Sequence, residues 1–241
     1  MTLGKGYNFN VKLNNQHPWE ISPQEAARLQ VELARRVSQQ NQVASPRLIA
    51  GADLHFQGKD RGRAAVVVLS YPELTLVDSA VAEGDVTYPY IPGLLAFREA
   101  PLLMEAWGNL SSKPDLLLVD GQGVAHPRRF GIACHLGVAL DAPTIGCAKS
   151  RLIGTHGHVG EEPGSWAELM DGDEVIGCVL RTKARTNPLY VSVGHKIDLV
   201  SARRWALACC RGYRLPEPTR LAHQLAGGQV IHQAKGIETP R

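Results

Sequence analysis

Three acids, Asp53, Glu99 and Asp120, lie far apart in the chain but in settings that suggest a shared chemistry. Leu48-Ile49-Ala50-Gly51-Ala52-Asp53 and Leu116-Leu117-Leu118-Val119-Asp120 are apolar runs that each finish on a carboxylate, as buried strands do when they deliver an acid to the edge of an α/β sheet. Glu99 falls on a helical stretch between them. Carboxylates gathered at one edge cannot all stay ionised and unpaired. The pattern therefore favours a hard divalent cation, Mg2+ with Mn2+ as a substitute, which keeps room for water and phosphate oxygens. The segment after Asp120, Gly121-Gln122-Gly123-Val124-Ala125-His126-Pro127-Arg128-Arg129, sets small residues, donors and positive charge beside the acid. That combination suits a phosphate held near a metal ion, with His126, Arg128 and Arg129 as the phosphate contacts. Taken alone, a strand closing on Asp-Gly is also an ordinary turn. Other chemistries lack their residues: His126 occupies the third glycine position of G-x-G-x-x-G, and no P-loop, G-x-S-x-G or H-E-x-x-H is present.

The elements that must position these groups follow from pattern. Ser22-Pro23-Gln24-Glu25 is an N-cap, a first-turn proline and a capping-box acid, opening a helix of four or five turns with Ala26, Leu29, Leu33 and Val37 on one face. The strand ending at Asp53, a second over residues 63–70 and a third over 75–82 are joined by short turns, which predicts an antiparallel meander. Pro89-Tyr90-Ile91-Pro92-Gly93 is too rich in proline for regular structure. It forms a stiff loop presenting Tyr90 and Ile91, either as a cap on the core or as a wedge between stacked bases. A helix over residues 94–110 carries Glu99, and Pro101 should break or kink it. A helix over 130–140 and a strand over 143–148 complete a βαβ unit with the Asp120 strand, so those two strands are parallel, and Lys149 follows at the terminus of the second. Two extended segments, 174–184 and 188–193, are linked by a run containing Arg181, Lys183 and Arg185 that could track a phosphate backbone. A helix over 199–210, a rigid basic loop over 213–220 and a last helix bearing His223 end the ordered pattern.

Composition bounds the rest. At 241 residues and 44% hydrophobic content the chain can bury one full core. A formal charge of +3 is mild, so any nucleic-acid surface must come from local clustering of Arg and Lys. Five cysteines with no C-x-x-C spacing argue against a disulfide framework or a structural zinc site and favour a reducing, cytoplasmic setting. No run is apolar enough for a membrane span, and no membrane partner is expected. Nothing points to an oligomer.

Several of these motifs, in this order, resemble the endonuclease V family. The likeness is carried by Ile49-Ala50-Gly51-Ala52-Asp53, by Pro89-Tyr90-Ile91-Pro92-Gly93 with Phe97-Arg98-Glu99, and by Val119-Asp120-Gly121-Gln122-Gly123 with His126-Pro127-Arg128-Arg129. Pro143-Thr144-Ile145-Gly146 with Ala148-Lys149, and Tyr213-Arg214-Leu215-Pro216-Glu217-Pro218-Thr219-Arg220, complete it. The resemblance, over about residues 20–225, implies an RNase H-like α/β fold, a mixed central sheet flanked by helices; length favours a single domain, taken as residues 19–228, and unpatterned polar composition gives a flexible tail at 1–18 and a polar tail at 229–241. The resemblance also implies that Asp53, Glu99 and Asp120 hold the metal, with Lys149 and His223 as further catalytic groups. Pro89, Tyr90, Ile91 and Pro92 would be the wedge, and Gly93, Gly121 and Gly123 would close around an extruded base. The implied reaction is Mg2+-dependent cutting of DNA containing deoxyinosine or other deaminated bases, in DNA repair. The cut falls at the second phosphodiester bond 3′ to the lesion and leaves a 3′-hydroxyl and a 5′-phosphate. Inosine-specific cutting of RNA is the alternative. A non-catalytic nucleic-acid-binding module would leave the three acids unexplained, and an oligomerisation protein would leave the basic motifs unexplained as well.

Overall fold

A computed structural model of the protein describes residues 17–231. The elements run α1 (Pro23–Ala34), β1 (Leu48–Phe56), β2 (Arg61–Ser70), β3 (Leu76–Asp85), α2 (Leu95–Gly108), β4 (Leu116–Val119), α3 (Ile132–Leu140), β5 (Thr144–Ala148), β6 (Thr155–His156), β7 (Trp166–Asp171), β8 (Glu174–Leu180), β9 (Leu189–His195), α4 (Leu199–Ala208) and α5 (Glu217–Ala226). The strands form one mixed sheet in the order β3-β2-β1-β4-β5-β9-β8-β7-β6. β1, β2 and β3 make the expected antiparallel meander, and β1, β4 and β5 are parallel neighbours. β9 then closes antiparallel on β5 and leads to β8. This is an RNase H-like α/β architecture, a central mixed sheet flanked by helices.

Alternation along β1 assigns the two faces. Ile49 packs in one buried cluster with Val67, Leu221 and Ala222, on the side where α5 lies against β1 and β2. Ala50, Ala52 and Leu54 pack in the other cluster with Ala96, Ala100 and Leu103 of α2. Gly51 shares the α5 face, and a Cβ there would lie 2.0 Å from the Pro218 carbonyl carbon, so only glycine admits the helix this close to the strand.

Several elements differ from their sequence-based expectations. α1 stops at Ala34, before Val37, because the end of β9 captures the chain: Ser38 N–H donates to His195 Nδ1 at 3.1 Å, and Lys196 N–H donates to the Ser38 carbonyl at 2.7 Å. Pro101 lies inside α2 without ending it. Its neighbours Ala100, Leu102, Leu103 and Met104 are buried, and that burial outweighs one missing backbone bond. The loop expected over 213–220 is already helical from Glu217, with Pro216 at its N-cap. The tail expected over 1–18 falls largely outside the described residues, but its end is described: His17 Nε2 is 2.7 Å from His135 Nε2 of α3. Of the tail expected over 229–241, residues 232–241 lie outside the described residues.

Candidate active site

Register brings the first two acids together. Ala52 of β1 pairs with Val119, the last residue of β4, so Asp53 and Asp120 are the next residues on adjacent parallel strands. The Asp120 N–H still donates to the Ala52 carbonyl at 3.3 Å. Asp53 does not end its strand, contrary to the sequence expectation: β1 continues to Phe56 along β2, while β4 stops. The cleft therefore opens where the shorter strand terminates, with Asp53 on its wall.

Glu99 enters from α2 on the opposite face and lines the same cleft as Asp53 and Asp120. Burial, followed by the charges of Asp53 and Asp120, raises its carboxyl to about 8. Asp53 is raised too, by burial first and then by Asp120. Two neighbouring groups oppose the rise at Asp53. The Lys149 ammonium, just past β5, pairs with Asp120 Oδ2. His223 of α5 places Nδ1 2.7 Å from Asp53 Oδ2. All five expected catalytic groups thus meet at one place. Among the described residues no three His, Cys, Asp or Glu side chains are arranged to hold an ion as placed. One oxygen of Asp53 is turned to His223 and one of Asp120 to Lys149. The donor chemistry nevertheless fits a hard divalent cation: on one cleft the charge of Asp120 raises the Asp53 carboxyl and the charges of both raise that of Glu99, a conflict that such an ion relieves.

The cleft has a volume of about 360 Å3 and is rimmed by Tyr90, Ile91, Pro92 and Gly93. Tyr90 is 70% exposed, whereas its neighbour Tyr88 is buried against Phe97. The loop is thus anchored at its base and bare at its tip. Arg98 Nη1 donates to the Tyr88 carbonyl at 2.6 Å from below. Gly93, at φ +80°, is pinned by its carbonyl, which accepts from Gln30 Nε2 at 3.0 Å, His126 Nε2 at 2.9 Å and Arg128 Nη2 at 2.7 Å.

That clasp revises the roles expected for several residues. His126 is 3% exposed, and burial lowers its pKa to about 4. Its Nδ1 accepts from the Arg128 N–H at 3.2 Å, leaving Nε2 to donate to Gly93, so the neutral ring is a strut and not a phosphate contact. Arg128 is held by Gln30 Oε1 at 2.6 Å as well as by Gly93. Arg129 Nη2 is 2.7 Å from both Asp171 and Glu174, which ties the Asp120 loop to the β7–β8 hairpin. With both lone pairs of its carbonyl used, Gly93 has no oxygen left for a base. Gly121 lines the cleft as expected. Gly123 does not: it is buried, and a Cβ there would lie 1.9 Å from the Val193 carbonyl oxygen, so it is a packing glycine against β9. Arg181 is engaged with the carbonyls of Gly160 and Thr186 and holds a loop.

Two buried polar residues of the cleft were missed. Gln30 shares a buried helix face with Ala26 and Leu33, and a polar side chain on an apolar stripe was the available signal. Gln122 is buried on the cleft wall, with Nε2 donating to the Ser150 carbonyl at 2.9 Å and Oε1 without a hydrogen-bond partner among the described residues. Its segment was read for the flanking glycines and for the charges after it, with no separate role for the amide.

An RNase H-like sheet whose parallel strands bring acids to a cleft beside a lysine suits the metal-assisted chemistry of a nuclease. The family model for Endonuclease V matches residues 31–224. Endonuclease V of Dehalococcoides mccartyi (strain CBDB1) is 54% identical over 224 residues, covering 92% of this chain and 100% of that protein. The crystal structure of Endonuclease V from Streptomyces avermitilis superposes with a TM-score of 0.83 at 42% identity, over 87% of this chain and 93% of that one. Ciona intestinalis Endonuclease V, solved with a 24mer DNA containing an inosine followed by a ribo-adenosine, gives 0.73 at 28% identity, over 85% and 95% of the two chains. The chain belongs to the endonuclease V family and is an endonuclease that hydrolyses phosphodiester bonds.

Proposed function

We propose that this endonuclease acts on DNA carrying deaminated bases, chiefly deoxyinosine, and requires Mg2+, with Mn2+ as a substitute. The cut falls at the second phosphodiester bond 3′ to the lesion and leaves a 3′-hydroxyl and a 5′-phosphate, a step in DNA repair. The observation that carries this reading is the convergence of Asp53, Glu99, Asp120 and Lys149 on one cleft beneath the exposed Tyr90 tip.

Asp53, Glu99 and Asp120 would hold the ion. When bound, a divalent cation lowers the pKa of water and offsets charge on phosphoryl oxygens. The chain's own residues do the rest. Lys149, part-exposed beside Asp120, brings a positive charge to the phosphate that enters the cleft. His223 donates from Nδ1 to Asp53, which leaves Nε2 of a half-exposed ring to accept or return a proton at the reacting oxygens. Tyr90 and Ile91 fill the gap in the stack when the base turns out, offsetting part of an unstacking cost of a few kcal/mol. The extruded base enters beside Gly121, whose backbone lines the cleft while its missing Cβ makes room for Ile132 of α3. Hypoxanthine differs from adenine at the 6-oxo group and N1–H, and from guanine by lacking the exocyclic amine, differences that a close backbone pocket can separate.

RNA remains the second reading, favoured by one observation: the DNA bound to the Ciona relative carries a ribo-adenosine after its inosine. Matched, end-labelled DNA and RNA strands with one central inosine, competed in Mg2+, test both. Preferential DNA cutting one nucleotide beyond the lesion's own 3′ phosphate supports the proposal. Equal or greater RNA cutting, or cutting at random positions, overturns it.

A further inference from the structure

Beside the cleft, Tyr213 presents an exposed aromatic ring within a cluster of cations. The ring is 51% exposed. Arg220 lies over it with its guanidinium carbon 4.4 Å from the centroid, held from behind by Glu217 through Nε at 2.8 Å. The Lys183 ammonium is 5.9 Å from the same centroid, and Lys183 is exposed. Neither packing nor catalysis explains the group. A half-bare tyrosine stiffened on one side does not serve the core, and none of the three residues lines the cleft.

Its place in the fold ties it to the active site. Arg214, next in sequence, donates from Nη2 to the Lys149 carbonyl and to the Pro188 carbonyl at 3.0 Å. Arg220 precedes His223 by one turn of α5, a rise of about 5 Å. The ring is therefore fixed to Lys149 and His223 through short covalent and hydrogen-bonded paths. We infer that Tyr213, Arg220 and Lys183 form a stacking platform for a base of the single strand leaving the cleft. A base lies against the part of the ring that Arg220 leaves open, and Lys183 exchanges its loose ring contact for a phosphate. Stacking needs only a π-face, so the platform reads no sequence and holds strand without a lesion as well as with one.

The inference rests on the proposed nucleic-acid substrate, and the test separates the two. Fluorescein-labelled single-stranded DNA, with and without one central inosine, is titrated with the full chain by anisotropy. Tyr213→Ala is expected to weaken both probes alike, by about 5-fold or more, whereas Tyr213→Trp retains wild-type binding. Lys183→Ala is expected to lower the salt dependence of binding by about one counterion. Unchanged affinity in Tyr213→Ala, or a loss confined to the inosine probe, overturns the platform whatever the cutting assay gives. A loss on both probes in a protein that cuts DNA without regard to inosine sustains the platform and overturns the lesion specificity.

Discussion

Glu99 is the residue whose state depends most on what fills the cleft. Its carboxyl, raised to about 8, is protonated at neutral pH in the ion-free protein and titrates near the ordinary carboxylate range in the unfolded chain. The folded state then binds the extra proton between about pH 4.5 and 8, so that contribution to stability declines as pH rises through this window. His126, lowered to about 4, has the opposite slope, but its change is complete by about pH 6.5. Thermal denaturation in chelator from pH 6.5 to 8 therefore isolates the acid: Tm should fall with pH in the wild type and fall less in Glu99→Gln. Equal slopes would refute the raised Glu99 carboxyl, whose first cause is burial and whose next is the charge of Asp53 and Asp120. Asp53→Ala and Asp120→Ala should each lower cleavage by at least about 100-fold, as loss of a group acting on the transition state does, while inosine-DNA affinity persists. Turnover within a few-fold of wild type in either variant would remove that residue from the catalytic set.

Between the elements, glycine contacts set the spacing on which the site depends. Gly51 lets α5 lie against β1, so Gly51→Ala should lift the helix that carries His223, costing about 1–3 kcal/mol by overpacking and weakening the His223–Asp53 contact. Denaturant unfolding combined with activity at a permissive temperature measures both effects, and wild-type values for each would show that the contact has slack. Gly146 plays the same part for the Asp120 loop, since a Cβ there would approach Gly123 N to 2.5 Å. These demands were illegible in sequence, because each is a contact between segments far apart in the chain. The meander and the βαβ unit were legible, since period and turn chemistry are local. The hairpin strand β7 was not anticipated: its burial pattern is irregular, and Trp166 is 44% exposed with Arg203 stacked 3.7 Å from its ring. His126, Arg128 and Arg129 were read as phosphate groups because charge near an acid looks the same whether it faces solvent or a carbonyl. Only the fold shows Gly93, Asp171 and Glu174 as their partners.

Across the whole molecule, the mixed sheet and its flanking helices collect groups from five separate segments at the point where β4 ends, Glu99 among them from α2. Asp53 arrives from β1, Asp120 from the end of β4, Lys149 from the end of β5 and His223 from a helix on the far side of the sequence. No helix among the described residues is long and apolar enough to cross a membrane. The clasp on Gly93 and the Arg129 tie to the β7–β8 hairpin brace one rim of the cleft, beside the exposed Tyr90. The central claim is that Asp53, Glu99 and Asp120 share one divalent ion. Its most direct test is the loss of the free Mn2+ paramagnetic signal on titrating Mn2+ into the protein, wild type against Asp120→Asn, with fold checked by circular dichroism. The account predicts one site in the wild type and an affinity at least about tenfold weaker in Asp120→Asn, as loss of a charged ligand to a hard cation gives. Equal Mn2+ affinity in the two folded proteins would contradict it.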